Sequence, residues 1–422
     1  MLDSTVILNA RLPHRSGLYQ ISIQAGKISQ LEPAETATTA PNTTAPNTTA
    51  PKTTAPNTAV LKNTTATDTV APDTVIDVNG DWITLGAIDL QINGALGLAF
   101  PDLRMETLGQ LQQICERLWQ QGVNGFCPTL VTTSPENFQG SLAAIRAFQR
   151  QQAKDRPADC AIALGAHLEG PFLNPVKRGA HPAEYLQPLT LEAVKAVVGE
   201  FAEAISIVTL APEQATDDRV IPWLTEQGIT VSLGHSLATA KQATWAFDQG
   251  ATMVTHAFNA MPGLHHRQPG LLGAALTDSR VFCGFIADGQ HICRSMLDLL
   301  LRVKRGSKDT RIGGLFLVSD ALSPLGLPDG TYPWDSREIE VIEGTARLAD
   351  GTLSGTTLPL IAGAENLVAW DLCSAEEAIA LVTQAPRQAI GLPILSIGQP
   401  AQLIRWSQNV QSQLTWQRIE LS

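Results

Sequence analysis

The sequence predicts an α/β fold: a (β/α)8 barrel of the TIM type with a small β-sandwich domain built from both chain termini. Three observations lead there. Eight apolar or β-branched runs lie between Trp82 and Asp320, most of them separated by segments of helical period. Short alternating strand patterns flank that stretch on both sides. No Gly-x-Gly-x-x-Gly turn follows the first run, which counts against a doubly wound sheet as the alternative.

The elements follow in chain order. Residues 1–82 supply the N-terminal part of the small β domain, with strand patterns in TVILNARL and LYQISIQAGKISQL and a hairpin around Gly26. From about Thr36 to Asp73 the chain is dominated by Thr, Ala, Pro and Asn, with a five-residue repeat starting at Pro41, Pro46, Pro51 and Pro56. Such a tract buries too little apolar surface to offset its ordering entropy, so a disordered loop or extended tether is expected there. Residues 83–335 carry the barrel. Its runs are WITLGAIDL, GFCPTLV, CAIALGAHL, AISIVTLAP, TVSLGH, MVTHAF, VFCGFIAD and GGLFLVSD. Ser134-Pro135 places a cap residue and a first-turn proline before the helical segment FQGSLAAIRAFQR. Residues 336–422 supply short strands, a barrel-closing helix at SAEEAIALVTQAPRQAIG and a final strand pair, AQLIRW and QLTWQRIEL.

Composition narrows the function classes. The 422 residues are 44% hydrophobic, enough for a sizeable core, and carry a formal net charge of −11. That acidity speaks against nucleic acid as a partner. No run reaches the roughly 18 apolar residues of a membrane span. The N-terminus lacks the pattern of a secretory signal, and six scattered cysteines form no disulfide framework. A cytoplasmic protein with reduced thiols is expected.

In such a barrel the reactive groups sit where strands end, at the C-terminal face. The polar residues in these positions include Gln91, Asn93, Glu169, His235, His256, Asp288 and Asp320. One carboxylate and two imidazoles, from Glu169, His235 and His256, make the donor set of a catalytic zinc or similar divalent ion. A lone strand-end His is more often a hydrogen-bonded structural residue, and a lone buried Glu is commonly an ion-pair partner; their convergence on one pocket favours the metal. Asp320, carried in by GGLFLV, suits a general base, with the N-cap of the following turn as the competing reading. Arg267, with Asn259, Ala260 and His291, offers donors suited to a phosphate or carboxylate. His181 lies in the loop after the third strand, over the site. His14 and His167 receive no role, His167 reading as a packed strand residue.

The segments GAIDLQINGALG, GAHLEGPFLNPVKRGAHPAEYL, LGHSLATA, THAFNAMPGLHHRQPG, IADGQH, LVSDALSP and GTLSGTTL resemble, in content and order, the N-acetylglucosamine-6-phosphate deacetylase family of the amidohydrolase superfamily. The resemblance spans about residues 83 to 360, and QAPRQAIGLP extends it. It implies hydrolysis of the N-acetyl amide of an amino-sugar phosphate by a homodimer with one divalent metal ion per subunit, zinc being the expected ion. It places Glu169, His235 and His256 on the metal positions, Asp320 on the catalytic aspartate, and His181 beside the acetyl group. Ala180, Asn259, Ala260, Arg267, His291 and the stretch Leu353, Ser354, Gly355 fall on substrate contacts, with Arg267 reaching the neighbouring subunit's site. Many amidohydrolases place His-x-His at the end of the first strand and bind two metals. Gln91-Ile92-Asn93 stands there instead, and its amides are poor metal ligands, which makes a second strong site doubtful. Another amidohydrolase, or a non-catalytic sugar-phosphate sensor, is the rival reading.

Overall fold

The computed structural model describes residues 4–34, 72–155, 157–305, 314–335 and 337–421. The repeat tract expected to be disordered lies, except for its last residues, outside the described residues. The chain forms two compact units, one of Met1–Asp81, Ser396–Ala401 and Glu420–Ser422, the other of Trp82–Leu395 and Gln402–Ile419.

The first unit holds a four-stranded sheet in the order Lys27–Pro33, Tyr19–Gln24, Ser4–Ala10, Thr74–Asp77. Alternation decides its faces: Ile7, Ile21, Ile23 and Ile28 turn inward and are buried. Gln24 pairs with Lys27 across a two-residue loop, and Ala25 and Gly26 both have left-handed φ, 51° and 69°. This is the tight hairpin read at Gly26, in the turn class that matches strand twist.

The second unit is built on eight parallel strands: β1 (Ala87–Ile92), β2 (Val123–Val131), β3 (Ala166–Glu169), β4 (Ile205–Leu210), β5 (Thr230–Leu233), β6 (Met253–Val254), β7 (Phe282–Phe285) and β8 (Leu315–Leu317). They pair in chain order from β1 to β8. Beyond the ladder, β8 returns to β1: Asp320 N–H donates to Gln91 O at 2.8 Å and Asn93 N–H to Ala321 O at 2.7 Å. The barrel therefore closes at the end where the candidate residues lie. These strands are buried almost throughout, because the interior covers one face and helices the other. The helices obey their caps. In α2 (Pro135–Asp155) the Ser134 hydroxyl accepts from Asn137 N–H at 3.2 Å, with proline in the first turn. In α5 (Ala240–Asp248) Thr239 and Gln242 form a reciprocal capping box.

Two runs expected as single strands are broken at glycines. WITLGAIDL divides at Gly86, where a Cβ would lie 2.0 Å from Asn124 Oδ1. Trp82–Leu85 leaves the barrel there and pairs with Leu403–Gln408, itself paired with Leu414–Arg418. CAIALGAHL divides at Gly165, φ 130°, into Ile162–Ala163 and β3, both paired with β2. After β8 a four-stranded antiparallel sheet covers Gly330–Trp334, Arg337–Ile342, Thr345–Leu348 and Leu353–Thr356. All six cysteines are free, four of them buried. No helix among the described residues is long and apolar enough to cross a membrane.

Candidate active site

Glu169 ends β3, and His235 and His256 follow β5 and β6 by two residues. Parallel pairing of β3 to β6 delivers the three side chains to one point. Glu169 Oε1 lies 3.1 Å from His235 Nε2 and 3.0 Å from His256 Nε2, and the two ring nitrogens are 3.0 Å apart. All three residues are buried.

The chemistry of this cluster can be tested for a metal. His235 Nδ1 faces the carbonyl oxygen of Lys177 at 2.9 Å, and a carbonyl can only accept. With its proton on Nδ1 alone, the ring turns a lone pair on Nε2 toward Glu169 Oε1, itself an acceptor. Acceptors facing one another at 3.1 Å in a buried site suit a cation between them. An equilateral triangle with 3.0 Å sides would place its corners about 1.7 Å from its centre. Ligand distances of about 2.0–2.1 Å for zinc exceed that, so the three donor atoms could all reach one ion without moving apart. Burial alone would raise the Glu169 carboxyl, but hydrogen bonds and charge from His235 and His256 override burial and hold it well below the usual carboxylate range; positive charge at this point, from a metal ion or from protonated imidazole, keeps it ionised. His256 Nδ1 is buried without a hydrogen-bond partner among the described residues.

His181 also brings a ring nitrogen within 4.8 Å of the Glu169 and His235 donor atoms, so distance alone would admit it as a ligand. Its hydrogen bonds argue for a different part. The backbone N–H of Thr132 donates to His181 Nδ1 at 3.3 Å, which fixes Nδ1 as an acceptor and puts the proton on Nε2. Burial, reinforced by His235, pushes its pKa down to about 3, so the ring is neutral. The His181 and His235 ring centres are 4.5 Å apart. A neutral N–H donor beside an ion is placed to stabilise negative charge on a carbonyl oxygen. Gly170 permits this arrangement, since a Cβ there would come 2.2 Å from Thr132 Oγ1.

Asp320 follows β8 and is half-buried. Asn93 Nδ2 donates to its Oδ1 at 2.8 Å and Gln91 Nε2 to the same oxygen at 3.2 Å. The Gln91 amide also donates to Glu169 Oε1 at 3.0 Å. Gln91 thus sits between the two carboxylates, a role the sequence reasoning missed by treating Gln91 and Asn93 only as weak ligands. Both bonds fall on Oδ1, which leaves Oδ2 for proton transfer. Burial, then the charge of Glu169, raises the Asp320 pKa above the ordinary value, which favours accepting a proton.

Three of these residues have left-handed backbone: His235 (φ 48°), His256 (26°) and Asp320 (50°), as do Phe258 (75°) and Ala260 (51°) in the loop after β6. A non-glycine residue in that region costs about 1–2 kcal/mol, and such strain clusters at functional sites.

The remaining predicted residues lie around this centre. Ala180 O accepts from Arg337 Nη2 at 2.7 Å, and the carbonyl of His181 accepts from Arg178 Nη1 at 2.8 Å, which braces the loop carrying His181. Asn259 donates to the carbonyls of His256 and Ala257, and Ala260 O accepts from Ser236 N–H at 3.1 Å. His291 Nδ1 meets Asp288 Oδ2 at 2.6 Å, both side chains nearly buried. Leu353, Ser354 and Gly355 form the strand beside Asp320; a Cβ on Gly355 would lie 3.1 Å from Asp320 O. Arg267 stands apart, exposed on the Met261–Pro269 loop with His265 and His266. Within this chain it is not brought to the buried cluster by any described hydrogen bond or ion pair.

Comparison with known proteins agrees with this geometry. No protein-family model matches. The chain is 37% identical over 324 residues to the N-acetylglucosamine-6-phosphate deacetylase of Mus musculus, covering 75% of this chain and 76% of that protein. It is 32% identical over 333 residues to an N-acetylgalactosamine-6-phosphate deacetylase of Escherichia coli, covering 78% and 84%. Among solved structures, N-acetylglucosamine-6-phosphate deacetylase from Pasteurella multocida aligns with a TM-score of 0.77 at 27% identity, over 99% of this chain and 100% of that one. The Thermotoga maritima enzyme of the same name gives 0.73 at 25%, over 100% and 98%. With a shared barrel, a clustered carboxylate–imidazole site and this extent of identity, the chain belongs to the N-acetylglucosamine-6-phosphate deacetylase family of amidohydrolases.

Proposed function

We propose that this chain hydrolyses the N-acetyl amide of N-acetylglucosamine 6-phosphate to glucosamine 6-phosphate and acetate, using one divalent ion, zinc, held by Glu169, His235 and His256. The observation that carries the reading is the mutual approach of those three donors beside Asp320. When bound, the ion supplies Lewis acidity that lowers the pKa of a water molecule and polarises a carbonyl.

The protein's own groups do the rest. Asp320 takes a proton on Oδ2 as the water oxygen bonds to the acetyl carbon. The His181 Nε2–H donates to the carbonyl oxygen as negative charge gathers there. Asp320 then returns the proton to the amine nitrogen as the carbon–nitrogen bond breaks, releasing the amine and acetic acid, whose remaining hydroxyl proton passes to solvent to leave acetate. Gln91 and Asn93 hold the Asp320 carboxylate, and Gln91 in addition keeps it aligned with Glu169. Ala180, Asn259, Ala260, His291 and Leu353–Gly355 contact the sugar phosphate. Arg267, exposed in its own chain, grips the phosphate in the site of a second copy, so the working unit is a homodimer, placed in the cytoplasm. Contacts remote from the scissile bond fix the pose and lower the barrier by orientation.

Acetate release from N-acetylglucosamine 6-phosphate tests this. Wild-type protein is expected to release acetate, to lose the activity on chelation and to regain it with zinc. Absence of release from protein loaded with divalent metal would overturn the reading. The galactosamine epimer belongs in the same assay, given the Escherichia coli relative.

A further inference from the structure

Directly beneath the Glu169–His235–His256 cluster runs a chain of buried polar groups that the chemistry above does not use. His167 Nε2 meets Thr209 Oγ1 at 2.7 Å, Thr209 Oγ1 meets Thr255 Oγ1 at 2.6 Å, and Thr255 Oγ1 meets Ser232 Oγ at 2.6 Å. At the other side of the ring, His167 Nδ1 donates to Leu90 O at 3.0 Å. None of the four residues is more than 3% exposed. They come from β3, β4, β5 and the end of β6, and their places in the chain are telling. His167 precedes Glu169 by two residues, Ser232 precedes His235 by three, Thr255 immediately precedes His256, and Leu90 immediately precedes Gln91.

The interior layers of such barrels are usually filled by Val, Ile and Leu. Here that volume holds hydroxyls whose described side-chain bonds are to one another and to His167. The direction of the bonds is fixed from one end. The Leu90 carbonyl must accept, so the neutral ring donates from Nδ1 and accepts at Nε2. Thr209 then donates to His167, Thr255 to Thr209, and Ser232 to Thr255, each hydroxyl using its single proton. The layer also explains a glycine: a Cβ on Gly234 would lie 2.9 Å from Thr255 Cβ and 3.0 Å from Thr209 Cγ2, so the residue before His235 packs directly onto these threonines. His235 and His256 emerge from this layer with left-handed φ, and such backbone persists only where the surroundings over-determine it.

We propose that His167, Thr209, Ser232 and Thr255 are positioning residues that lock the ends of β3 to β6 in register, and so set the affinity of the Glu169–His235–His256 cluster for a divalent ion. The proposal rests on the metal reading given above. Its test is a zinc titration of the full-length, demetallated protein against a chromophoric chelator, with thermal unfolding of each apo-protein as a parallel readout. Thr209→Val and Thr255→Val, which keep shape and lose the hydroxyl, are each expected to weaken zinc binding roughly ten-fold, in the range typical of groups that orient metal ligands. Thr255→Ser restores the affinity, and Ser141→Ala, which removes a buried hydroxyl of α2 away from the layer, leaves it unchanged. Should Thr255→Val not fold, Thr209→Val decides, since β4 carries none of the proposed ligands. Folded valine variants that bind zinc as tightly as wild type overturn the proposal, as does an equal loss in Ser141→Ala. A wild-type protein that binds no zinc overturns the metal reading and the proposal with it.

Discussion

The two halves of the active site differ in how completely one chain builds them. On the hydrolytic side, Glu169, His181, His235 and His256 are buried, Gln91 bridges Asp320 and Glu169 by direct hydrogen bonds, and Asn93 donates to Asp320. On the side proposed to hold the phosphate, Asn259 and Ala260 are half-buried and turned back on their own loop, while Arg267 is exposed. If the proposed roles hold, bond-breaking and substrate-holding are separable here. On the proposed reading the first is organised before substrate arrives, and the second is completed by the ligand and a second copy of the chain. Each can be perturbed without the other.

The largest effect is expected on the preorganised side. Asp320→Asn keeps an oxygen acceptor but cannot take a proton, and should lower kcat by about 10²–10⁴ with bound metal retained. Steady-state acetate release with elemental analysis checks both halves of that statement. Next comes His181→Phe, which removes the Nε2–H donor while filling the volume. A loss of about 10²–10³ in kcat with little change in KM is expected, the signature of a contact that matters in the transition state. On the open side the pattern reverses. Arg267→Ala should raise KM about ten-fold or more and leave kcat within a few-fold, since it removes binding remote from the chemistry. If Arg267 serves a neighbouring site, mixing Arg267→Ala with Asp320→Asn restores part of the activity through mixed dimers. A failure to recover any would assign Arg267 to its own chain.

The last effect concerns stability alone. Asp89 is buried at the base of the site; burial raises its pKa to about 7, against hydrogen bonds from Ser319 and Gln91. A raised folded value means the protonated form is favoured in the fold. Its stabilising contribution is therefore full below the unfolded value of 3.8 and lost as pH rises through about 7. Asp89→Asn keeps the Oδ1 acceptor without the ionisation. The variant should gain stability over wild type between pH 4 and pH 8, by an upper bound of about 4 kcal/mol. Parallel stability curves in urea across that range would contradict the shift.

How far the sequence could be read depends on the range of the forces involved. The eight barrel strands are local patterns of apolar and β-branched residues, and the strand-end positions of Glu169, His235, His256 and Asp320 follow from them once a barrel is assumed. The Gly26 hairpin and the Ser134 cap are also local, and both were readable. The breaks at Gly86 and Gly165 were not, because each is set by a side chain distant in sequence: Asn124 against Gly86 and Ser206 against Gly165. The tautomer of His181 depends on Thr132, and the double duty of Gln91 depends on two carboxylates 78 and 229 residues away. His167 shows the same limit. It reads as a packed strand residue, and only the threonines and serine of three other strands turn it into one end of a polar layer.

The proposed metal content is one divalent ion per chain, held by Glu169, His235 and His256, with Gln91 and Asn93 committed to the carboxylates rather than to a second ion. Elemental analysis of wild-type protein beside His235→Ala and Asn93→Ala tests it directly. One equivalent of metal is expected in wild type, a small fraction of that in His235→Ala, and one equivalent in Asn93→Ala. Two equivalents in wild type, or full occupancy in His235→Ala, would contradict it.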